Sequence, residues 1–159
     1  MHATSGNRKK EWTKENFAKI IEYLTNEKHV QVIFSGTKND SLTYEKIGEF
    51  ITCGLERKPL NLCGELTLRE SLALTEKCDL IVGCDSGNLH IAASVGIPVI
   101  GIYGPMNPDK WHPWCEKAQI ITADLPCRPC SLKKKCKFDY DCIKKISPDM
   151  VKKAINDVL

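Results

Sequence analysis

Asp85-Ser86-Gly87-Asn88, with His90 two residues further on, is the stretch of this chain best suited to chemistry. A carboxylate, a hydroxyl and a glycine stand where an apolar run gives way to a small-residue helix. Free N–H groups and the positive end of a helix dipole at such a turn hold phosphate, and Gly87 lets a ligand approach the backbone. Each residue also has a purely structural reading. Asp85 or Ser86 serves as an N-cap, and His90 as a partly buried ring bonded within the fold. A second polar group, Thr4-Ser5-Gly6 followed by Lys9 and Lys10, reads as a phosphate cradle or as a solvated terminus. Trp111, His112 and Trp114 share one loop, where they line a ligand pocket or plug the domain.

The third group is Cys127, Cys130, Cys136 and Cys142, spaced C-x2-C-x5-C-x5-C. Four thiolates suit a tetrahedral structural zinc, although the five-residue gaps are unusual for a zinc ribbon. Two disulfides in any of three pairings, or reduced thiols packed in a loop, fit as well. Nothing beyond the thiol count favours an iron–sulfur cluster. Lys133 to Lys135 and Lys137 favour a nearby anion or make a solvated basic loop. Cys53, Cys63, Cys78 and Cys84 are scattered beside apolar residues and read as small buried hydrophobes in a reducing compartment.

These groups work only if secondary structure holds them at a strand end. Residues 80–82 are a near-continuous apolar run, as in a strand covered on both faces. Ala92, Ala93 and Ser94 let the next helix lie close on the sheet, and 98–103 form another buried strand turned by Gly104-Pro105. Strand, polar turn, helix and strand make a βαβ unit with its ligand site at the strand ends. Upstream, Thr13 caps a helix over 14–26 whose buried face is Phe17, Ile20, Ile21 and Leu24. A strand is expected over 29–35, ended by Gly36, then a helix near 42–53 packed through Leu42, Ile47, Phe50 and Ile51, with Gly54 as its terminus. Residues 59–63 suit a short edge strand. Thr67 and Glu70 form a capping box opening a helix over 68–78 that carries Leu68, Leu72 and Leu74. A further strand is expected over 118–122. Ser147-Pro148 opens a terminal helix over 147–158.

A length of 159 residues favours one compact domain. The net charge of +3, without an arginine-rich stripe, gives no electrostatic support for a nucleic-acid partner. The longest apolar runs are of strand length, too short to span a membrane, and the polar N-terminus lacks the apolar core of a secretory signal. The cytoplasm is the expected location.

DSGNLHIAASVGIPVIGIYGP resembles glycosyltransferase family 9, the lipopolysaccharide heptosyltransferases. The family pattern D-[ST]-G-x-x-H-[LI]-A-A, then G-P-[TM]-x-P, is met by Asp85-Ser86-Gly87, His90-Ile91-Ala92-Ala93 and Gly104-Pro105-Met106-Asn107-Pro108. HATSGNRKKEW is similar to the family's H-x-[GT]-[AST]…K-x-W segment, TLRE to its S-L-x-E element, and PCRPC…C…C…ISPDMV to a pattern common in one branch. The resemblance implies an α/β fold, a Rossmann-like three-layer parallel sheet forming the C-terminal half of a GT-B glycosyltransferase. The whole chain, 1–159, is then a nucleotide-sugar-binding domain, with a cysteine-rich loop at 127–142 and the terminal helix at 147–158.

The resemblance also implies roles. Thr4 and Ser5 contact the diphosphate, and Lys10 neutralises its charge. Asp85, Ser86, Gly87 and His90 hold the diphosphate and sugar. Leu66 borders the base, and Asp40 is an acidic ribose contact. The donor is ADP-heptose or a related nucleotide sugar, the transfer inverts the anomeric carbon, and no cofactor is tightly bound. The family's N-terminal domain, which brings the catalytic base and the lipopolysaccharide inner-core acceptor, has no counterpart here, so no catalytic residue is assigned and no transfer is expected from this chain alone. The full enzyme is expected to sit peripherally at the inner membrane. Most of the strand leading into His2 is also without a counterpart, so self-association at the open sheet is expected. A non-catalytic nucleotide-binding module and a metal-stabilised interaction domain are the rival readings.

Overall fold

A computed structural model of the chain describes residues 1–130, 132 and 135–159. After a single 3₁₀ turn at Arg8–Lys10 come α1 (Lys14–Asn26), β1 (Ile33–Phe34), a second 3₁₀ turn at Lys38–Asp40, α2 (Ser41–Gly48), β2 (Leu60–Asn61), α3 (Leu68–Thr75), β3 (Ile81–Cys84), α4 (Gly87–Ser94), β4 (Val99–Ile102), α5 (Pro108–Trp111), β5 (Ala118–Ile121), α6 (Asp141–Lys144) and α7 (Pro148–Asn156). β1 pairs with β2, and β3, β4 and β5 pair in that order, all in parallel.

Residues 1–3 join the two ladders. The Met1 amine donates to the Ile33 carbonyl at 2.5 Å, and Ser35 N–H donates to the Met1 carbonyl at 3.4 Å. On the other side His2 N–H donates to Val82 O at 2.9 Å, and Cys84 N–H donates to His2 O at 3.1 Å. The strand order is therefore β2, β1, residues 1–3, β3, β4, β5. Gly83 stands opposite His2 in this pairing. A Cβ there would lie 2.6 Å from the His2 carbonyl oxygen, so glycine is what permits the approach.

Side chains alternate across the sheet with period two. Val82, Cys84, Ile100 and Ile102 face α1 and α7, packing with Trp12, Phe17, Ile20, Ile21, Val151 and Ile155. Ile81, Val99 and Tyr103 face α4 and pack with Leu89 and Ala92. Helices on both faces of a parallel sheet make three layers, the Rossmann-like arrangement expected from the sequence. The indole N–H of Trp12 donates to Ile146 O at 2.8 Å and ties the N-terminal segment to the turn that leads into α7. Among the described residues no helix is long and apolar enough to cross a membrane.

The caps follow local sequence closely. Thr13 Oγ1 accepts from Asn16 N–H, Ser147 Oγ accepts from Met150 N–H, and Thr67 and Glu70 form the expected reciprocal box. Several bounds differ from expectation. The strand at 29–35 is paired as a ladder only at Ile33–Phe34, because His29 has φ 56° and the partner strand β2 is two residues long. α2 ends at Gly48 rather than near residue 53, consistent with the weakness of glycine inside a helix. α3 stops at Thr75, buries none of its residues, and leaves Leu68 74% exposed instead of packed. Residues 1–4 are not a solvated terminus, since His2, Ala3 and Thr4 are all buried.

Candidate functional site

An open cavity of about 850 Å³ lies across the ends of β1, β3 and the N-terminal segment. Its wall includes Thr4, Ser5, Lys10, Asp40, Leu66, Asp85, Ser86, Gly87 and His90, the full set singled out from the sequence. Parallel strands explain the convergence: every strand end on this side of the sheet delivers its loop to one crevice.

Lys10 and Asp85 are the charged centre. Lys10 Nζ lies 2.9 Å from Asp85 Oδ2, with the side chains 21% and 8% exposed. That oxygen receives the charge but no well-directed hydrogen bond, and the neighbouring Ser86 Oγ is also buried without a partner. Asp85 therefore does not cap α4. The N-cap is Ser86, whose side chain makes no capping bond, so the first-turn N–H groups of α4 keep their capacity for an anion. Ser5 Oγ donates to Asp85 O at 2.7 Å and holds the two loops together. Glu11 accepts from Ser5 N–H at 3.2 Å. His90 is exposed on the first turns of α4, with its ring at the cavity rather than in the core.

Asp40 is engaged from its own loop. Its Oδ2 accepts from Thr37 N–H at 2.6 Å and Thr37 Oγ1 at 2.8 Å. Burial opposes the charged form, yet the Thr37 and Thr4 hydroxyls and the Thr37 N–H together hold the carboxyl below the usual range. A Cβ on Gly36 would meet this carboxylate at 2.7 Å, so a larger residue there would displace the Asp40 side chain.

His2, Asn88 and Trp111 also form the wall, although sequence reasoning assigned them no firm role there. His2 Nδ1 lies 2.9 Å from Ser35 O and 2.8 Å from the Asn88 amide. It is the Asn88 amide nitrogen that faces Nδ1. Nε2 lies 3.4 Å from Thr4 Oγ1. Burial pushes the His2 pKa below its ordinary value, against the pull of the Ser35 carbonyl. The histidine heading the HATSG segment was the only sequence signal for this contact. Trp111, on the single turn α5, is 51% exposed at the cavity, and Trp114 is 87% exposed, so this loop does not plug the domain. Leu66 and Leu68 add apolar surface at the same mouth, which accounts for the exposure of Leu68.

The cysteines lie away from this wall. Cys127 and Cys130 are exposed, Cys136 is half-buried and Cys142 is buried on α6. Among the described residues no group of His, Cys, Asp or Glu is placed to hold a metal ion, so the zinc expectation lacks support. The thiols are free. Cys53 is exposed rather than buried, whereas Cys63 and Cys84 are buried as expected. Of the lysines expected to attract an anion, Lys133 and Lys134 lie outside the described residues, and Lys135 and Lys137 are exposed.

The family model for glycosyltransferase family 9 (heptosyltransferase) matches residues 1–140. Lipooligosaccharide heptosyltransferase 2 of Haemophilus influenzae is 34% identical over 112 residues, covering 70% of this chain and 32% of that protein. The crystal structure of the family 9 glycosyl transferase from Veillonella parvula superposes with a TM-score of 0.84 at 28% identity, over 99% of this chain and 44% of that one. The structure of E. coli ADP-heptose lps heptosyltransferase II superposes with a TM-score of 0.82 at 24% identity, over 98% and 44%. The match thus spans less than half the length of each of these proteins, and the fold is one Rossmann-like half of a GT-B arrangement. The chain belongs to glycosyltransferase family 9, the heptosyltransferase family.

Proposed function

We propose that this chain binds the nucleotide-sugar donor, ADP-heptose or a close relative, of an inverting transfer to the lipopolysaccharide inner core. One observation carries the reading: Lys10, the unpartnered hydroxyl of Ser86 and the open N-terminus of α4 converge on a single cavity with room for a nucleotide. In such a transfer an acceptor hydroxyl attacks the anomeric carbon as its bond to the diphosphate breaks. The departing diphosphate gains negative charge, and a cation with N–H donors already in place stabilises it. Asp85 is itself an anion, so its part is to orient Lys10 or to accept from sugar hydroxyls rather than to touch phosphate. Leu66 and Trp111 offer apolar surface to the base, and Asp40 keeps its second oxygen for the ribose.

Transfer needs a base, and the two carboxylates on the described wall are both engaged, Asp40 with Thr37 and Asp85 with Lys10. This supports donor binding without transfer by the chain alone, with acceptor and base contributed from elsewhere in a cytoplasmic enzyme at the inner membrane. A second cavity of about 240 Å³, between Val30–Ile33 and Asp79–Val82, supports pairing of an extended strand there, the proposed route of self-association.

Thermal unfolding with ADP and ADP-heptose tests the donor reading. A Tm rise for wild type that is strongly reduced in H90A and K10M is expected. No rise with any nucleoside diphosphate sinks the proposal.

A further inference from the structure

We propose that Arg128 is a positioning residue for the donor cavity, although it does not line it. The inference rests on the donor reading above and identifies what fixes one of the cavity walls.

Trp111 reaches the cavity from α5, a four-residue helix that buries none of its side chains. A helix this short does not hold its own place. Its far end is tied by Tyr103, whose hydroxyl donates to Trp111 O at 2.8 Å. Its root is the turn Gly104-Pro105-Met106, and all three carbonyls of that turn accept from residues 128–130. Arg128 Nε donates to Gly104 O, Arg128 Nη2 donates to Met106 O at 3.4 Å, and Cys130 N–H donates to Pro105 O at 2.7 Å. The remaining arm, Nη1, donates to Ala123 O at 2.9 Å beyond the end of β5. Ile143 also packs so close that a Cβ on Gly104 would meet its side chain at 2.8 Å.

One guanidinium thus bridges three carbonyls from two segments. Only arginine carries enough donors in a fixed fork to do so, and a lysine ammonium reaches one or two of them without the planar geometry. The opening of the cysteine-rich segment is accordingly a buttress. It sets the turn after β4, and the turn sets the face that Trp111 presents to a nucleoside diphosphate.

The test is a double-mutant cycle on the full chain, with ADP affinity measured by calorimetry for wild type, R128A, W111A and R128A/W111A. R128A is expected to bind ADP about tenfold more weakly, within the range for loss of an aromatic stacking partner. R128A/W111A is expected to be no weaker than W111A, because Arg128 acts through Trp111. Acrylamide quenching of tryptophan fluorescence in a W114F background gives a ligand-free readout. Trp12 is buried, so the signal reports Trp111, and R128A should raise its quenching. Wild type that fails to bind ADP overturns the donor reading. Wild type that binds while R128A binds equally, fully additive losses in the double variant, or unchanged quenching in R128A each overturn the clamp. Should R128A fail to fold, R128K carries the same comparisons with a smaller loss expected, and unchanged affinity and quenching in R128K overturn the clamp in that case.

Discussion

Replacing Lys10 with methionine separates two consequences of one ion pair. At 2.9 Å, and with an effective dielectric constant of about 20, the gross attraction to Asp85 is about 6 kcal/mol. Desolvation offsets much of it. Lys10→Met nevertheless leaves a carboxylate only 8% exposed without a countercharge, and breaking such a pair costs about 3 kcal/mol. The ligand loses its cation at the same time. A charge-assisted hydrogen bond is worth about 1.5–3 kcal/mol, so ADP affinity should fall about 10- to 100-fold. Asp85→Asn distinguishes the two effects. It removes the repelling anion, keeps the side-chain shape, and should leave ADP affinity within about threefold of wild type. In K10M/D85N no buried charge is stranded, so more than half of the lost stability should return while the binding loss persists. Urea denaturation and calorimetric ADP titration of the four proteins read the two effects separately. A double variant as unstable as K10M, or a K10M protein that binds ADP like wild type, would refute the reasoning.

Gly83→Ala places a Cβ 2.6 Å from the His2 carbonyl and should lower stability by about 1–3 kcal/mol, read as a lower urea midpoint. His2 gives a pH signature. Burial lowers its folded pKa, so below about pH 6.5 the unfolded chain takes the proton first. Stability should hold above that pH, fall by up to about 1.4 kcal/mol per unit below it, and level off below the folded pKa. His2→Asn should remove this share of the slope in pH-dependent denaturation. Burial pushes the Cys84 thiol up to about 12 and Cys63 to about 11. At pH 8 an aromatic disulfide reagent should modify the exposed Cys53, Cys127 and Cys130 at once, and Cys84 only on unfolding; rapid labelling of Cys84 in the folded chain would refute its burial.

What the sequence made legible was local or strongly patterned. Thr13, Thr67 with Glu70, and Ser147 cap helices a few bonds away, so their spacing sufficed. Residues 80–82 and 98–103 carry short apolar runs of the kind a strand covered on both faces needs, and strands form at Ile81–Cys84 and Val99–Ile102. Asp85 looked like a cap because that role needs only its neighbours; its actual partner, Lys10, is 75 positions distant in the chain. Residues 1–4 carried no strand pattern, since their order comes from ladders on either side that the sequence does not reveal. Leu68 looked like core because hydrophobicity does not distinguish a packed face from a cavity wall. Arg128 lay inside a cysteine pattern that drew attention to thiols, while the contacts in that segment are made by a guanidinium and a backbone N–H.

The donor site is tested most directly by an amide-resolved NMR titration of the ¹⁵N-labelled chain with ADP. Saturable shifts are expected at Ser5–Lys10, Thr37–Asp40, Leu66 and Asp85–His90, with few elsewhere, and AMP should produce weaker ones for want of the second phosphate. Absence of shifts at millimolar ADP, or shifts centred away from the N-terminus of α4, would contradict a donor site at this cavity.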